Sequence, residues 1–268
     1  MISRMLLPIL GMVLLNLGMA HAETITLTEK NSVVFRGVVS ELSVSKVQAE
    51  LIEKAKAGKP LYLVLDTPGG SVDAGNMLIT TVKGLGVKVH TVTIFAASMG
   101  FHIVQSLDDR LIIPNGVLMS HRANAGMRGE IPGEFLKRLV FLLRGLNAMD
   151  ATAAKRMGLK TEVYQDWIRD EYWVEGSDAI HDKAADRVVH VKCGEGLQGT
   201  ETLTMNTIFG AVNFTMSKCP LITGPLGIDV SDVKEEKPSV DAYVRTLFSN
   251  RFEFVNKYIK TNEYQKFQ

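Results

Sequence analysis

Cysteine is scarce in this chain: there are two among 268 residues, Cys193 and Cys219. Two thiols alone make an incomplete zinc shell, so no metal is expected, and no cofactor either. An excess of one charge is also missing. Lys and Arg number 30 against 29 Asp and Glu, which leaves no electrostatic footprint for nucleic acid. The six tyrosines and eleven phenylalanines are scattered rather than arrayed, which excludes a platform for stacked bases. There is no internal repeat and no low-complexity tract. What remains is enough apolar sequence for one α/β domain of substantial core, with an appendage.

Long apolar runs are lacking too, apart from one at the start. Arg4 is followed by an apolar stretch from Met5 to Leu17, then by Ala20-His21-Ala22. This three-part pattern is that of a secretory signal cut after Ala22. The run is short for a spanning helix and is interrupted by Pro8 and Gly11, which disfavours an uncleaved anchor. No cysteine lies near the cut, which argues against a lipid anchor. Residues 1–22 are therefore expected to direct export, to the periplasm or beyond the cell. Without Arg4 the basic count is 30 − 1 = 29, equal to the acidic count. Export also changes how the cysteines read. An oxidising compartment favours a disulfide between Cys193 and Cys219, contributing roughly 3 kcal/mol. Two free buried thiols are the plainer alternative.

Along the chain, strands and helices alternate. Strands are expected at Val33–Val39, Leu61–Leu65, Val87–Ile94, Arg110–Ile113, Val117–Ser120 and Arg187–Val191. Helices are expected at Val44–Ala57, Val72–Leu85 and Ser98–Leu107 from apolar spacing and Gly/Pro stops. This alternation argues for repeated βαβ units around a parallel sheet. Ile131 to Met157 is largely helical, with a crowded apolar face of Phe135, Leu136, Leu139, Val140, Leu142 and Leu143. That face is more than a solvated helix needs, so it docks on its own domain or on another subunit. After Val191 the chain turns Gly/Thr-rich, then carries Pro220, Pro225 and Pro238, and a helix is expected from Val240 to about Tyr264.

Two glycine-containing turns follow successive parallel strands: Pro68-Gly69-Gly70-Ser71 and Ala96-Ala97-Ser98-Met99-Gly100. Turns at the carboxyl ends of parallel strands form the mouth where ligands bind. Amides at such turns point outward as donors, as a tetrahedral oxyanion requires. A serine among small residues is often mere packing, and Ser98 alone decides nothing. His121, at the end of the strand Val117–Ser120, supplies a candidate base at another strand edge. Of the other histidines, His21 leaves with the signal, His90 and His102 fall within a strand and a helix, and His181 and His190 lie in polar stretches.

The segments DTPGGSVDAGNMLITTVKG, TIFAASMGFHIVQS and IPNGVLMSHRA, in that order, resemble the proteolytic subunit of the Clp protease. That family consists of Ser-His-Asp peptidases on the ClpP/crotonase fold. WVEGSDAIHDKAADRVV aligns without gaps to its closing segment. The resemblance spans roughly Val33 to Val189. It implies an α/β fold of the ClpP/crotonase type, with repeated ββα/βαβ units and a helical insert. It further implies Ser98 as nucleophile, His121 as general base, and the amides of Gly70 and Met99 as oxyanion hole. The acid falls two residues before Trp173, which selects Glu171, with the adjacent Asp170 close behind it. The helical insert mediates contact between rings in such relatives, so a homo-oligomer is implied.

This chain departs from the family pattern in two places. The proline and glutamine typical after the histidine are replaced by Arg122-Ala123-Asn124-Ala125. The N-terminal axial segment that meets an ATPase is replaced by residues 1–30. An exported, ATP-independent serine peptidase acting on peptides or unfolded segments is therefore expected, with no ATPase partner and no nucleic acid. Its expected divisions are 1–22, 23–191 and a C-terminal extension at 192–268. The rival readings are a catalytically idle scaffold on the same fold, an acyl-CoA hydratase relative, and a signal-peptide-peptidase-like Ser-Lys enzyme. No lysine sits in a recognisable base motif, which weighs against the last.

Overall fold

Strand β3 (Leu61–Thr67) is apolar on both faces, and that decides the architecture. Leu61, Leu63 and Leu65 enter the main core, while Val64, with Tyr62 at its rim, enters a second cluster. A period of two sends these side chains to opposite faces of the sheet, and burial of both is the mark of a covered parallel sheet. The computed structural model of the chain describes residues 23–207 and 210–229. Its main sheet runs in the order β1 (Glu23–Leu27), β7 (Arg187–Cys193), β5 (Arg110–Ser120), β4 (Val89–Ala97), β3, β2 (Ser32–Arg36). Every adjacent pair in that order is parallel. A further strand, β6 (Tyr172–Glu175), lies antiparallel to the end of β5.

Helices α1 (Glu41–Ala55), α2 (Val72–Gly84) and α3 (Met99–Ser106) supply the main core from one side. Val44, Val47 and Leu51 are the buried stripe of α1, and Ala74, Leu78 and Val82 that of α2. Reciprocal bonds between Ser40 and Ser43 cap the start of α1. The Ser71 hydroxyl accepts from the Ala74 amide at the start of α2. The mostly parallel sheet with interleaved helices agrees with the α/β, ClpP-type expectation.

Three elements differ from the sequence reading. Arg110–Ile113 and Val117–Ser120 are halves of one strand, β5, interrupted by exposed Pro114 and Asn115. Pairing with β4 shifts register there, between Thr93 and Phe95. Strand β1 carries no expectation, yet it pairs with β7 at the sheet edge and buries Ile25 and Leu27 in the second cluster. The Gly/Thr-rich stretch forms a small antiparallel sheet of β8 (Thr200–Thr207), β9 (Gly210–Ser217) and β10 (Gly227–Asp229). Alternation at Val212, Phe214 and Met216 gives β9 a buried face.

Cys193, at the end of β7, is disulfide-bonded to Cys219, 26 residues later. Arg36 donates from Nη2 to the Pro220 carbonyl at 2.8 Å, which ties the small sheet to the main one at a second point. The insert is α4 (Gly133–Met157), followed by α5 (Thr161–Trp167), a short 3₁₀ turn at Ile168–Asp170, and α6 (Gly176–His181). Only Ala153, Ala154 and Met157 of α4 are fully buried, while Leu136, Val140, Phe141 and Leu143 are exposed. The expected helix from Val240 and the expected leader at 1–22 lie outside the described residues. Among the described residues no helix is long and apolar enough to cross a membrane.

Candidate active site

The two glycine turns meet. Gly69 has φ +88, and a β-carbon there would lie 2.5 Å from the Ala97 carbonyl and 2.8 Å from the Met99 nitrogen. No other residue fits at that approach without backbone movement. Gly75, one turn into α2, is closed in the same way by the Met99 side chain, whose Cε would lie 2.4 Å from an added β-carbon. The spacing of Gly69 and Gly75 is thus the footprint of the Ser98-Met99 turn on its neighbour.

Ser98 sits between β4 and α3 with φ 54 and ψ −118, a conformation that L residues rarely adopt. Its amide donates to the Met119 carbonyl at 2.9 Å, and its own carbonyl accepts from the His102 amide at 3.3 Å. The turn is therefore held from β5 and from α3 at once. The hydroxyl caps nothing in the helix it precedes; it is bonded to His121 instead, Oγ to Nε2, at 2.8 Å. Met99 opens α3, so its amide has no intrahelical acceptor. Within the first turn, the Gly69 carbonyl accepts from Val39 and the Ser71 amide donates to the Val39 carbonyl. Among the described residues, the Gly70 amide makes no such backbone bond.

His121 directly follows β5. Its neighbour Ser120 is fully buried and bonded through Oγ to the Tyr164 hydroxyl at 2.7 Å, which anchors the strand end. Burial lowers the His121 pKa below its ordinary value, and the Glu171 charge acts against that. The register explains why Glu171 is the acid it feels. Ser120 pairs with Tyr172 in the antiparallel β5–β6 ladder, so one step further His121 faces Glu171. The Glu171 carboxylate accepts from Trp173 Nε1 at 2.9 Å. Asp170 points elsewhere: it is exposed and pairs with Arg169 at 3.1 Å.

Ser98 and His121 open into a cavity of about 350 Å³. Its wall includes residues that the sequence reading did not single out as functional: His102, Asn147, Asp150 and Gln165. His102 follows Ser98 by one helical turn and is buried; burial, with the nearby His121, pulls its pKa down to about 4, so it is neutral at pH 7. Helical spacing from Ser98 was the available signal for His102. Asp150 is one of several charges on α4, and its position in sequence gives no such signal. Residues 122–130 form no strand, in keeping with the altered sequence after the histidine. Among the described residues no group of three His, Cys, Asp or Glu side chains is placed to hold a metal ion. A serine hydroxyl bonded to a neutral imidazole, beside free amides and an open cavity, has the parts needed for nucleophilic attack on a carbonyl.

Comparison with known proteins points the same way. Residues 19–192 match the family model for Clp protease. Proteolytic subunit 2 of the ATP-dependent Clp protease of Treponema pallidum (strain Nichols) is 27% identical over 158 residues, covering 57% of this chain and 78% of that protein. The corresponding proteolytic subunit of Streptococcus pneumoniae (strain 70585) is 28% identical over 155 residues, 55% of this chain and 79% of the relative. That of Streptococcus sanguinis (strain SK36) shows the same identity over the same length. The matched span takes in both glycine turns, His121, Glu171 and all of strand β7 but Cys193. The chain belongs to the Clp protease family.

Proposed function

We propose that the chain is an exported, ATP-independent serine peptidase that cleaves peptides or unfolded segments. The observation that carries this reading is the 2.8 Å bond between Ser98 Oγ and His121 Nε2, made at a serine in a strained turn. In the proposed reaction Ser98 Oγ attacks the scissile carbonyl as His121 Nε2 accepts its proton. The oxyanion is received by the amides of Gly70 and Met99. His121 then returns the proton to the leaving amine, and the C–N bond breaks to leave an acyl-enzyme. Water, deprotonated by the same imidazole, releases the acid and restores Ser98. Glu171 orients the ring through Nδ1 and favours its charged form, with Asp170 as the alternative acid.

Export is supported by the leader-like pattern ending at Ala22 and by the Cys193–Cys219 disulfide, which suits an oxidising compartment. Residues 192–268 form the C-terminal extension. A second copy is the proposed partner of the exposed apolar stripe on α4. No ATPase partner is proposed, since an unfoldase has no ATP supply outside the cytoplasm.

A fluorophosphonate probe tests the reading directly. Labelling of the wild type but not of Ser98→Ala supports it; a folded protein that takes no label at neutral pH overturns it. The rival reading, an idle scaffold on the same fold, draws on one observation: the Glu171 hydrogen bond goes to Trp173. The same probe decides between the two.

A further inference from the structure

The cavity shared by Ser98 and His121 contains an acidic side chain that the proposed chemistry does not use. Asp150 lies on α4, half-buried in the wall of that cavity. Burial raises its pKa above the usual carboxylate value, while the Gln165 hydrogen bond and the charge of Arg122 pull in the other direction. Gln165 Nε2 donates to Asp150 Oδ2 at 3.0 Å and to Asn147 Oδ1 at 3.2 Å, which fixes the carboxylate in place. Among the described residues, Oδ1 accepts no hydrogen bond and no cationic group forms an ion pair with Asp150. Arg122 lines the same cavity but is exposed.

We infer that Asp150 is the specificity-determining group of this cavity and selects a lysine or arginine side chain on the acyl side of the scissile bond. The inference rests on the peptidase reading and names the substrate class of that same site. The remaining wall suits such a side chain. Val72, Met99, Leu146 and Ile168 offer apolar surface to a methylene stem, and the free Oδ1 offers a charged acceptor to its head. A leucine in the same place would leave the carboxylate further desolvated with no cation against Oδ1, and a glutamate would be repelled. The competing arrangement has Arg122 itself turn inward to Asp150, leaving an apolar pocket.

Matched fluorogenic peptides carrying Arg, Lys, Leu, Phe or Glu at that position, cleaved by the mature full chain, decide between these arrangements. Arg and Lys should exceed Leu at least tenfold in kcat/KM, with Glu the poorest. Asp150→Asn, which keeps the shape and an acceptor for Gln165, should lower the Arg-to-Leu ratio tenfold or more. Reading a ratio keeps a general loss of activity from imitating the effect. A wild-type preference for Leu or Phe, or an unchanged ratio in Asp150→Asn, overturns the inference while leaving the peptidase reading intact. If no peptide is cleaved, diphenyl phosphonates with lysine-like and leucine-like side chains replace the substrates. Faster labelling of Ser98 by the lysine-like compound supports the inference, and equal or slower labelling overturns it. Absence of labelling by any phosphonate overturns the peptidase reading and this inference with it.

Discussion

Gly69 lies directly against Ser98: a β-carbon on the glycine would come within 2.7 Å of Ser98 Cβ. The other atoms it would meet are backbone, so no side-chain rotation relieves the contact. Gly69→Ala should therefore push the nucleophile turn out of place and strain a residue at φ +88. A loss of about 1–3 kcal/mol in unfolding free energy is expected for the backbone strain alone. Fluorophosphonate labelling should fall by at least about 100-fold, since small misplacements near the reacting atoms are that costly. Labelling at the wild-type rate in a folded Gly69→Ala protein would show that the contact is not needed.

The pH profile separates the two candidate acids. His121 must be neutral to act as base, so the acidic limb of kcat/KM follows its pKa. Burial lowers that pKa and the Glu171 charge partly restores it. Removing the charge in Glu171→Gln must then move the limb to lower pH. The plateau should also drop, on the order of 10³-fold, as the imidazole loses its orienting group. Asp170→Asn should leave both limb and plateau in place, because that carboxylate is exposed and occupied by Arg169. The opposite pattern would reassign the acid to Asp170.

His102 should make the fold acid-sensitive. Its folded pKa is depressed to about 4 from an ordinary 6.5, so between those values the unfolded chain binds the extra proton. Its stabilising contribution is fully present above pH 6.5, is lost as pH falls toward 4, and loses no more below that. The loss amounts to about 3 kcal/mol across the window, 2.5 pH units at 1.36 kcal/mol each. Urea unfolding at several pH values from 7.5 to 4 checks this. His102→Gln should lose about 3 kcal/mol less than wild type over the same range. Parallel curves for the two proteins would assign the acid sensitivity to other groups.

Local signals carried much of this fold and part of its site. The apolar runs of β3 and β4 and the stripes of α1 and α2 are legible because burial imposes a period that sequence displays. Ser98 and His121 were found from the order of their motifs, and the structure brings them into hydrogen-bond contact. The failures have a common cause in long-range pairing. Strand β1 is five residues long and makes sense only beside β7. Strand β5 reads as two because Pro114 and Asn115 break its pattern. Glu171 and Asp170 are adjacent in sequence, where only the spacing before Trp173 favours Glu171; the β5–β6 register is a separate, long-range reason to favour it. Asp150 is one charge in a long helix until the cavity shows which face of α4 it lies on.

Reducing the disulfide tests how the small antiparallel sheet belongs to the domain. The Cys193–Cys219 bridge closes a loop of 26 residues, for which chain entropy predicts about 3.5 kcal/mol of stabilisation. Cys193→Ser with Cys219→Ser should lose about that much in urea unfolding. The hydrogen bond from Arg36 to Pro220 is one further tie to the main sheet, and it does not replace a covalent link. In the double variant, limited proteolysis should cut first within 194–219, with the segment beginning at Glu23 persisting and Ser98 still labelled. Concurrent loss of the core and of the label would mean that the small sheet is part of the same cooperative unit. Leu197 belongs to the second hydrophobic cluster with Val64, Val92 and Val189, so Leu197→Ala in the bridged protein isolates the packing contribution. It should cost about 2–3 kcal/mol without releasing the early cut sites.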